Sequence, residues 1–275
     1  MPRIALGIEY DGTEFFGWQT LTHGSSVQAA VTNAVSLVAD QRLEIVCAGR
    51  TDSGVHAIEQ VAHFDTQVVR SARAWTLGAS AHLPSSVAVI WAREVAPDFH
   101  ARYCALTRRY RYTILNRAVR PGLEARFVAW ERKPLAVEPM RAAAAALLGE
   151  HDFSAFRTIA CQARSPHRRI DALSIERLGE RIVIEIEGNA FLHHMVRNIV
   201  GSLIPIGRGE RPVSWLAQLL EGRDRRRAGP TASASGLLFV GPRYPLAWGL
   251  PASVCAGPDT PARPPLAPRK SDPRP

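Results

Sequence analysis

The sequence predicts an α+β protein built from two successive halves, and three observations carry that expectation. Strand-like and helix-like periodicities alternate in short blocks from residue 4 to about residue 204. The set strand, helix, two strands, helix, strand is complete by about residue 95, and a comparable set opens at residue 104. The chain has 275 residues, 46% hydrophobic and 21% charged, which suits a folded protein with room for two cores. The halves are therefore expected at 1–103 and 104–250. No residue-level repeat relates them, so periodicity alone does not establish a duplication.

Taken in order, residues 4–10 read as a strand, and 26–39 as a helix with Val27, Val31, Ala34, Val35 and Val38 on one face. A second strand leads to Asp52, a third covers 60–64, a helix fits 70–82, and 86–95 alternates like a half-buried strand. In the second half, strands are expected at 104–116, 127–130, 170–178 and 181–187, with helices at 138–148 and 189–204. Residues 251–275 hold eight of the twenty prolines and almost no large apolar side chain, so this tail is expected to be disordered.

The net charge is +9 with a pI near 10.1, and the tail carries only +2 of it. Such a basic surface suits a polyanion, because phosphates held by cations release condensed counterions. Only Lys133 and Lys270 are lysines. That arginine bias suits bidentate phosphate contacts and base stacking, and a GC-rich genome would produce it equally. The cysteines at 47, 104, 161 and 255 form no ligand spacing, so free thiols and no metal are expected. No GxxxxGK[ST], GxGxxG or HExxH pattern appears, which leaves small-molecule cofactors without support. No apolar run approaches the roughly 18 residues of a membrane span, and no secretory signal is evident at the amino terminus. A cytoplasmic protein is expected.

Four stretches carry candidate chemistry. Gly49-Arg50-Thr51-Asp52-Ser53-Gly54-Val55-His56 places one carboxylate on a glycine-flanked turn between apolar strands, either as ordinary turn chemistry or as the seat of a nucleophile. Arg50 lies two residues earlier and can project to the same side, either into solvent or into a gap left by an unstacked base. On the strand from residue 104, alternation sends Arg108, Tyr110 and Tyr112 to one face and Arg109 and Arg111 to the other. Both faces are candidates for RNA contact, with Arg50 and Arg109 as candidate substrate-binding residues, and Tyr110 reads either as a packing residue of the strand or as a third such contact.

On a helix over 189–204, a wide apolar arc leaves His193, His194, Arg197 and Asn198 in a narrow polar stripe. Either that stripe faces water, or the helix is packed on both sides and Arg197 needs a carboxylate, for which Asp52 is the natural partner. A cation about 4 Å from a carboxylate contributes on the order of 4 kcal/mol at an effective dielectric of 20, before desolvation. Adjacent helical residues diverge by about 100°, so His193 and His194 are read as structural or RNA-facing, not as ligands of one metal. The first loop, with Gly12, Gly17 and Trp18, either wraps RNA or packs a buried tryptophan.

Together with Tyr10-Asp11-Gly12-Thr13, Gly17-Trp18-Gln19, Leu148-Gly149-Glu150-His151-Asp152-Phe153 and Ser235-Gly236-Leu237-Leu238, these stretches resemble, in order, the tRNA pseudouridine synthase A (TruA) family. The resemblance implies two RRM-like, ferredoxin-like α+β domains with antiparallel sheets around a basic central cleft. It implies that Asp52, Arg197 and Tyr110 are catalytic, with Tyr110 beside the target base as a stacking ring or through its hydroxyl. It further implies a cofactor-free isomerase acting on uridines 38, 39 and 40 in the anticodon stem and loop of tRNA, as a homodimer. Ser53 and Cys47 depart from the small residues many members carry there, and neither departure touches the chemistry.

Overall fold

A computed structural model describes residues 1–20 and 24–256. Residues 257–275, most of the proline-rich tail, lie outside the described residues, as do 21–23. Its strands are β1 (Arg3–Tyr10), β2 (Val46–Cys47), β3 (His56–Asp65), β4 (Val87–Val95), β5 (Thr107–Asn116), β6 (Ala129–Glu131), β7 (Gly149–Asp152), β8 (His167–Leu178), β9 (Arg181–Gly188) and β10 (Leu237–Arg243). The helices are α1 (Val27–Ala39), α2 (Ala79–Ala81, continuing a π turn), α3 (Val137–Ala144), α4 (Met195–Gly207) and α5 (Trp215–Gly222). None of them is long and apolar enough to cross a membrane.

The expected α+β class holds, with a sheet whose pairings are mostly antiparallel. Its order is β4-β1-β3-β10-β5-β9-β8-β7, with β2 beside β3 and β6 beside β5. The seam between the two expected halves is β10, whose Leu238 and Phe239 run parallel to His56 and Ala57 of β3 while its other edge pairs antiparallel with β5. The sheets of 1–103 and 104–250 thus join into one. A single apolar cluster, from Ile4 through Phe64, Tyr112 and Ile184 to Phe239, lies under α1, α3 and α4.

Local signals explain the elements that fold as expected. Ser26 caps α1 by accepting from the Ala29 N–H, and Asp40 closes it in the left-handed region at φ 51°. Three elements escaped the sequence reading: β10, whose Gly241-Pro242 pair argues against a central strand, the short β7, and α5. The helix expected over 189–204 begins only at Met195.

The start of the expected tail also needs correction. Residues 251–256 are ordered against the back of the sheet, where Val254 and Cys255 are buried beside Ala48, Phe99 and Tyr244. The Tyr244 N–H donates to Val254 O at 2.8 Å, and the Ala256 N–H donates to Tyr244 O at 2.8 Å. Backbone pairing and two small apolar side chains hold this stretch despite its low overall hydrophobicity.

His63 on β3 gives this back layer a pH dependence. Its Nδ1 accepts from the Ala101 N–H at 3.2 Å, so the buried ring serves as a neutral acceptor. Burial, reinforced by the nearby charges of Arg3 and His100 and opposed by Asp65, lowers its pKa to about 4. The unfolded chain binds this proton near pH 6.5, so the stability His63 confers is full above that value and is lost as the pH falls toward 4. Thermal melts should show about 2 kcal/mol lost between pH 7 and 4.5 from this group. That loss is expected to flatten in His63→Asn, whose amide oxygen keeps the acceptor without the titration; an identical pH profile would refute the assignment.

Candidate active site

Asp52 sits on a turn that the rest of the first half braces. Beyond β2 the chain turns through Gly49 to Gly54, which adopts φ 75°, and Asp52 O accepts from the Val55 N–H at 3.1 Å. Gln60 Nε2 donates to Gly49 O at 2.5 Å, Tyr10 and Thr51 share a hydroxyl hydrogen bond of 2.8 Å, and the Trp18 N–H donates to Thr51 O at 3.0 Å. The first loop lies so close that a Cβ on Gly12 would stand 2.0 Å from Val55 O, and one on Gly17, at φ 92°, 2.7 Å from Thr51 O. Trp18 is buried beneath it. The tryptophan of this loop is thus packed in the core.

Across the sheet seam, the chain approaches Asp52 from the second half. Arg197 on α4 places Nη1 3.4 Å from Asp52 Oδ2, while its Nε donates to Ala232 O at 2.8 Å. The carbonyl of Ala232 is itself fixed. The Ala232 N–H donates back to Arg197 O at 3.1 Å, and Gly201 admits residues 230–232 against α4, since a Cβ there would meet Pro230 O at 1.7 Å. The side chains of Asp52 and Arg197 are 19% and 14% exposed, so solvent screens the pair only in part.

The two histidines depart from the sequence reading. Because α4 starts at Met195, neither is inside the helix, and His194 takes the left-handed conformation at φ 61°. That reversal turns the adjacent rings toward one another, with centroids 4.0 Å apart, where a helix would have splayed them. His193 Nε2 lies 3.4 Å from Asp52 Oδ1 and His194 Nε2 3.5 Å from Oδ2. Thr158 Oγ1 meets His193 Nδ1 at 2.9 Å and orients that ring. Burial lowers the pKa of His194; Asp52 opposes the shift, and His193 and Arg197 add to it. The polar stripe of the sequence reading thus faces a carboxylate, and the missed signal was helix onset.

Tyr110 is buried, packed against Phe191 and Phe239 with both centroid distances 5.0 Å. Its hydroxyl lies near Gly49, 4.0 Å from where a Cβ on that residue would stand. Burial, with Asp52 adding negative charge, pushes its pKa well above 10, so it stays a neutral phenol. Arg50 is exposed, and its guanidinium has no hydrogen-bond or ion-pair partner among the described residues. Arg109 does not join this group. Strand alternation sends it to the back of the sheet, where Nη2 donates to Ser253 O at 2.9 Å beneath the ordered 251–256 stretch. The structure thus places Arg109 apart from the residues around Asp52, and Arg111 is likewise engaged by Glu185.

The residue the sequence reading undervalued is Arg108. Its guanidinium donates to Ala48 O at 3.1 Å, to Ala105 O at 3.1 Å, to Asn189 O at 2.9 Å and to Arg102 O. It thereby ties the segment before Asp52 to the segment before the histidines. His56, in contrast, is held away from Asp52 by the Gly12 N–H at 3.1 Å and Arg126 O at 2.7 Å. Of the arginines clustered at 164–169 and 223–227, Arg225 supports Asn198 and Gly229, Arg226 pairs with Asp224, and Arg169 with Asp171.

The site can therefore hold one carboxylate, flanked by a fixed cation and two imidazoles, beside a neutral phenol and a free arginine. Comparison with known proteins identifies the family. The model of a family described as tRNA pseudouridine synthase matches residues 7–104 and 143–245. Over 255 residues the chain is 58% identical to tRNA pseudouridine synthase A of Xylella fastidiosa (strain M23), covering 92% of this chain and 99% of that one. The protein of the same name from Stenotrophomonas maltophilia (strain K279a) is 58% identical over 253 residues, and that of Xanthomonas campestris pv. campestris (strain B100) 56% over 254, with the same coverage. A match of this extent, running through both halves that meet at Asp52, establishes that the chain belongs to the tRNA pseudouridine synthase family of isomerases.

Proposed function

We propose that this isomerase converts uridines 38, 39 and 40 in the anticodon stem and loop of tRNA to pseudouridine, with Asp52 as the nucleophile or base and Arg197 as its fixed counter-cation. The observation that supports this reading best is the meeting of Asp52 and Arg197 at 3.4 Å, from opposite halves of the chain, on a turn braced by β1, β3 and the first loop. Arg197 cannot lose its proton, so it orients the carboxylate without competing for protons.

In the reaction the N1–C1′ bond breaks, the released uracil turns, and a C5–C1′ bond forms. The C5 proton departs to a base and N1 ends protonated, so no electrons, metal or external energy source enter the balance. Tyr110, neutral and wedged between two aromatic rings, positions the base from one side. Arg50, exposed and without an ion-pair partner among the described residues, is placed to occupy the gap that an extruded nucleotide leaves and to hold a phosphate. A homodimer in the cytoplasm, with one tRNA spanning both subunits, completes the proposal.

Incubating the protein with unmodified tRNA tritiated at uridine C5 tests it. Tritium should appear in water in step with a mass-silent change at positions 38–40, mapped by chemical derivatisation and mass spectrometry. Binding without tritium release would leave only an RNA-binding protein, and a cleaved glycosidic bond would indicate a hydrolase.

A further inference from the structure

The convergence of His193 and His194 on Asp52 has a consequence separate from isomerisation. Around a zinc ion, ligand atoms at about 2.0–2.1 Å stand about 3.3–3.4 Å apart along the edges of a tetrahedron. The His193 Nε2–Asp52 Oδ1 and His194 Nε2–Asp52 Oδ2 separations are 3.4 and 3.5 Å. All three candidate ligand atoms lie within 4.8 Å of one another, so small side-chain rotations complete the geometry. His193 Nδ1 is engaged by Thr158 Oγ1 at 2.9 Å, the outer hydrogen bond that metal-binding histidines commonly use to fix ring orientation.

We propose that Asp52, His193 and His194 form a site for a divalent transition metal, of which zinc is the best fit, and that its occupancy reversibly blocks the isomerase. Two imidazoles and one carboxylate suit zinc better than magnesium or calcium, which prefer all-oxygen shells. The side chain of His193 is 41% exposed, which leaves an entry path and an open position for water or substrate. Arg197, 3.4 Å from Asp52 Oδ2, limits affinity because its charge opposes a dication and it competes for the same oxygen. A coordinated carboxylate has its lone pairs committed to the metal, so the metal-bound Asp52 is withdrawn from chemistry.

Only the inhibitory consequence rests on the function proposed above; binding does not. Titrating cobalt(II) chloride into the full chain should produce the intense visible bands of a four-coordinate site, displaced by zinc chloride. His193→Gln, at an exposed position, and Asp52→Asn should each weaken zinc binding at least about tenfold by calorimetry, with circular dichroism verifying the fold. In the tritium-release assay, zinc at ten times its dissociation constant should slow wild-type turnover about tenfold, and EDTA should restore it. Purely octahedral cobalt spectra, or zinc affinity unchanged in both variants, would overturn the site. Zinc bound at these residues with full activity retained would overturn the inhibition.

Discussion

Replacing Asp52 with asparagine is expected to reduce pseudouridine formation roughly 10³-fold or more, in the range seen when a nucleophile is removed. The substitution preserves shape and removes the charge, and the Arg197 guanidinium then loses its anionic partner at 3.4 Å. An amide can neither attack a sugar or base nor accept a proton at neutral pH, so loss of the anion acts on the chemical step. Affinity for tRNA should stay equal or rise, because an anion facing phosphates has been removed and Arg197 is released toward the cleft. Single-turnover tritium release and filter binding on the same preparation separate the two quantities. Unimpaired turnover would discard Asp52 as the reacting group, and weaker binding with normal chemistry would make it a substrate contact.

Arg108→Met is expected to show the second large effect, on stability and activity together. Methionine keeps much of the apolar stem but leaves the carbonyls of Ala48, Ala105, Asn189 and Arg102 without their shared donor. An unsatisfied buried acceptor costs about 1 kcal/mol or more, so a loss of about 3 kcal/mol in urea unfolding is expected for the set. Arg108 joins the segment leading to Asp52 to the segment leading to His193, so its loss also loosens their registration. A misplacement of about 1 Å costs on the order of 10²-fold in rate. The predicted signature is a fall in kcat larger than any rise in KM at temperatures where the variant is folded. Arg108→Lys should recover only part of either property, since one ammonium cannot span four carbonyls and burial disfavours its charge. Unchanged stability in Arg108→Met would mean that water replaces the guanidinium.

Much of the fold was legible locally. Strand alternation in 107–116 correctly separates Arg109 from Tyr110, and the α1 pattern with Ser26 before it marks a helix start that the structure keeps. The pairing of Asp52 with Arg197 was also foreseeable, because a cation on a helix with a wide apolar arc requires an anion. What failed did so where local rules cannot discriminate. His193 and His194 were placed on a helix because nothing local signals that His194 takes φ 61° and delays the helix to Met195. Alternation shows that Arg109 faces away from Tyr110, and it cannot show that residues 251–256 lie against that face.

By itself, the sequence determined the α+β class, the basic character, the turn that presents Asp52 and the periodic faces of its strands and helices. These properties depend on neighbours within a few positions, through steric limits on the backbone and the burial of apolar side chains. Only the tertiary structure decided that β10 unites the two halves in one sheet, that Arg108 clamps segments 60 and 81 residues away, and that two histidines share a carboxylate with Arg197. Those features arise between segments remote in the chain, where hydrogen bonds and charges are settled by which surfaces the packed core brings within about 4 Å.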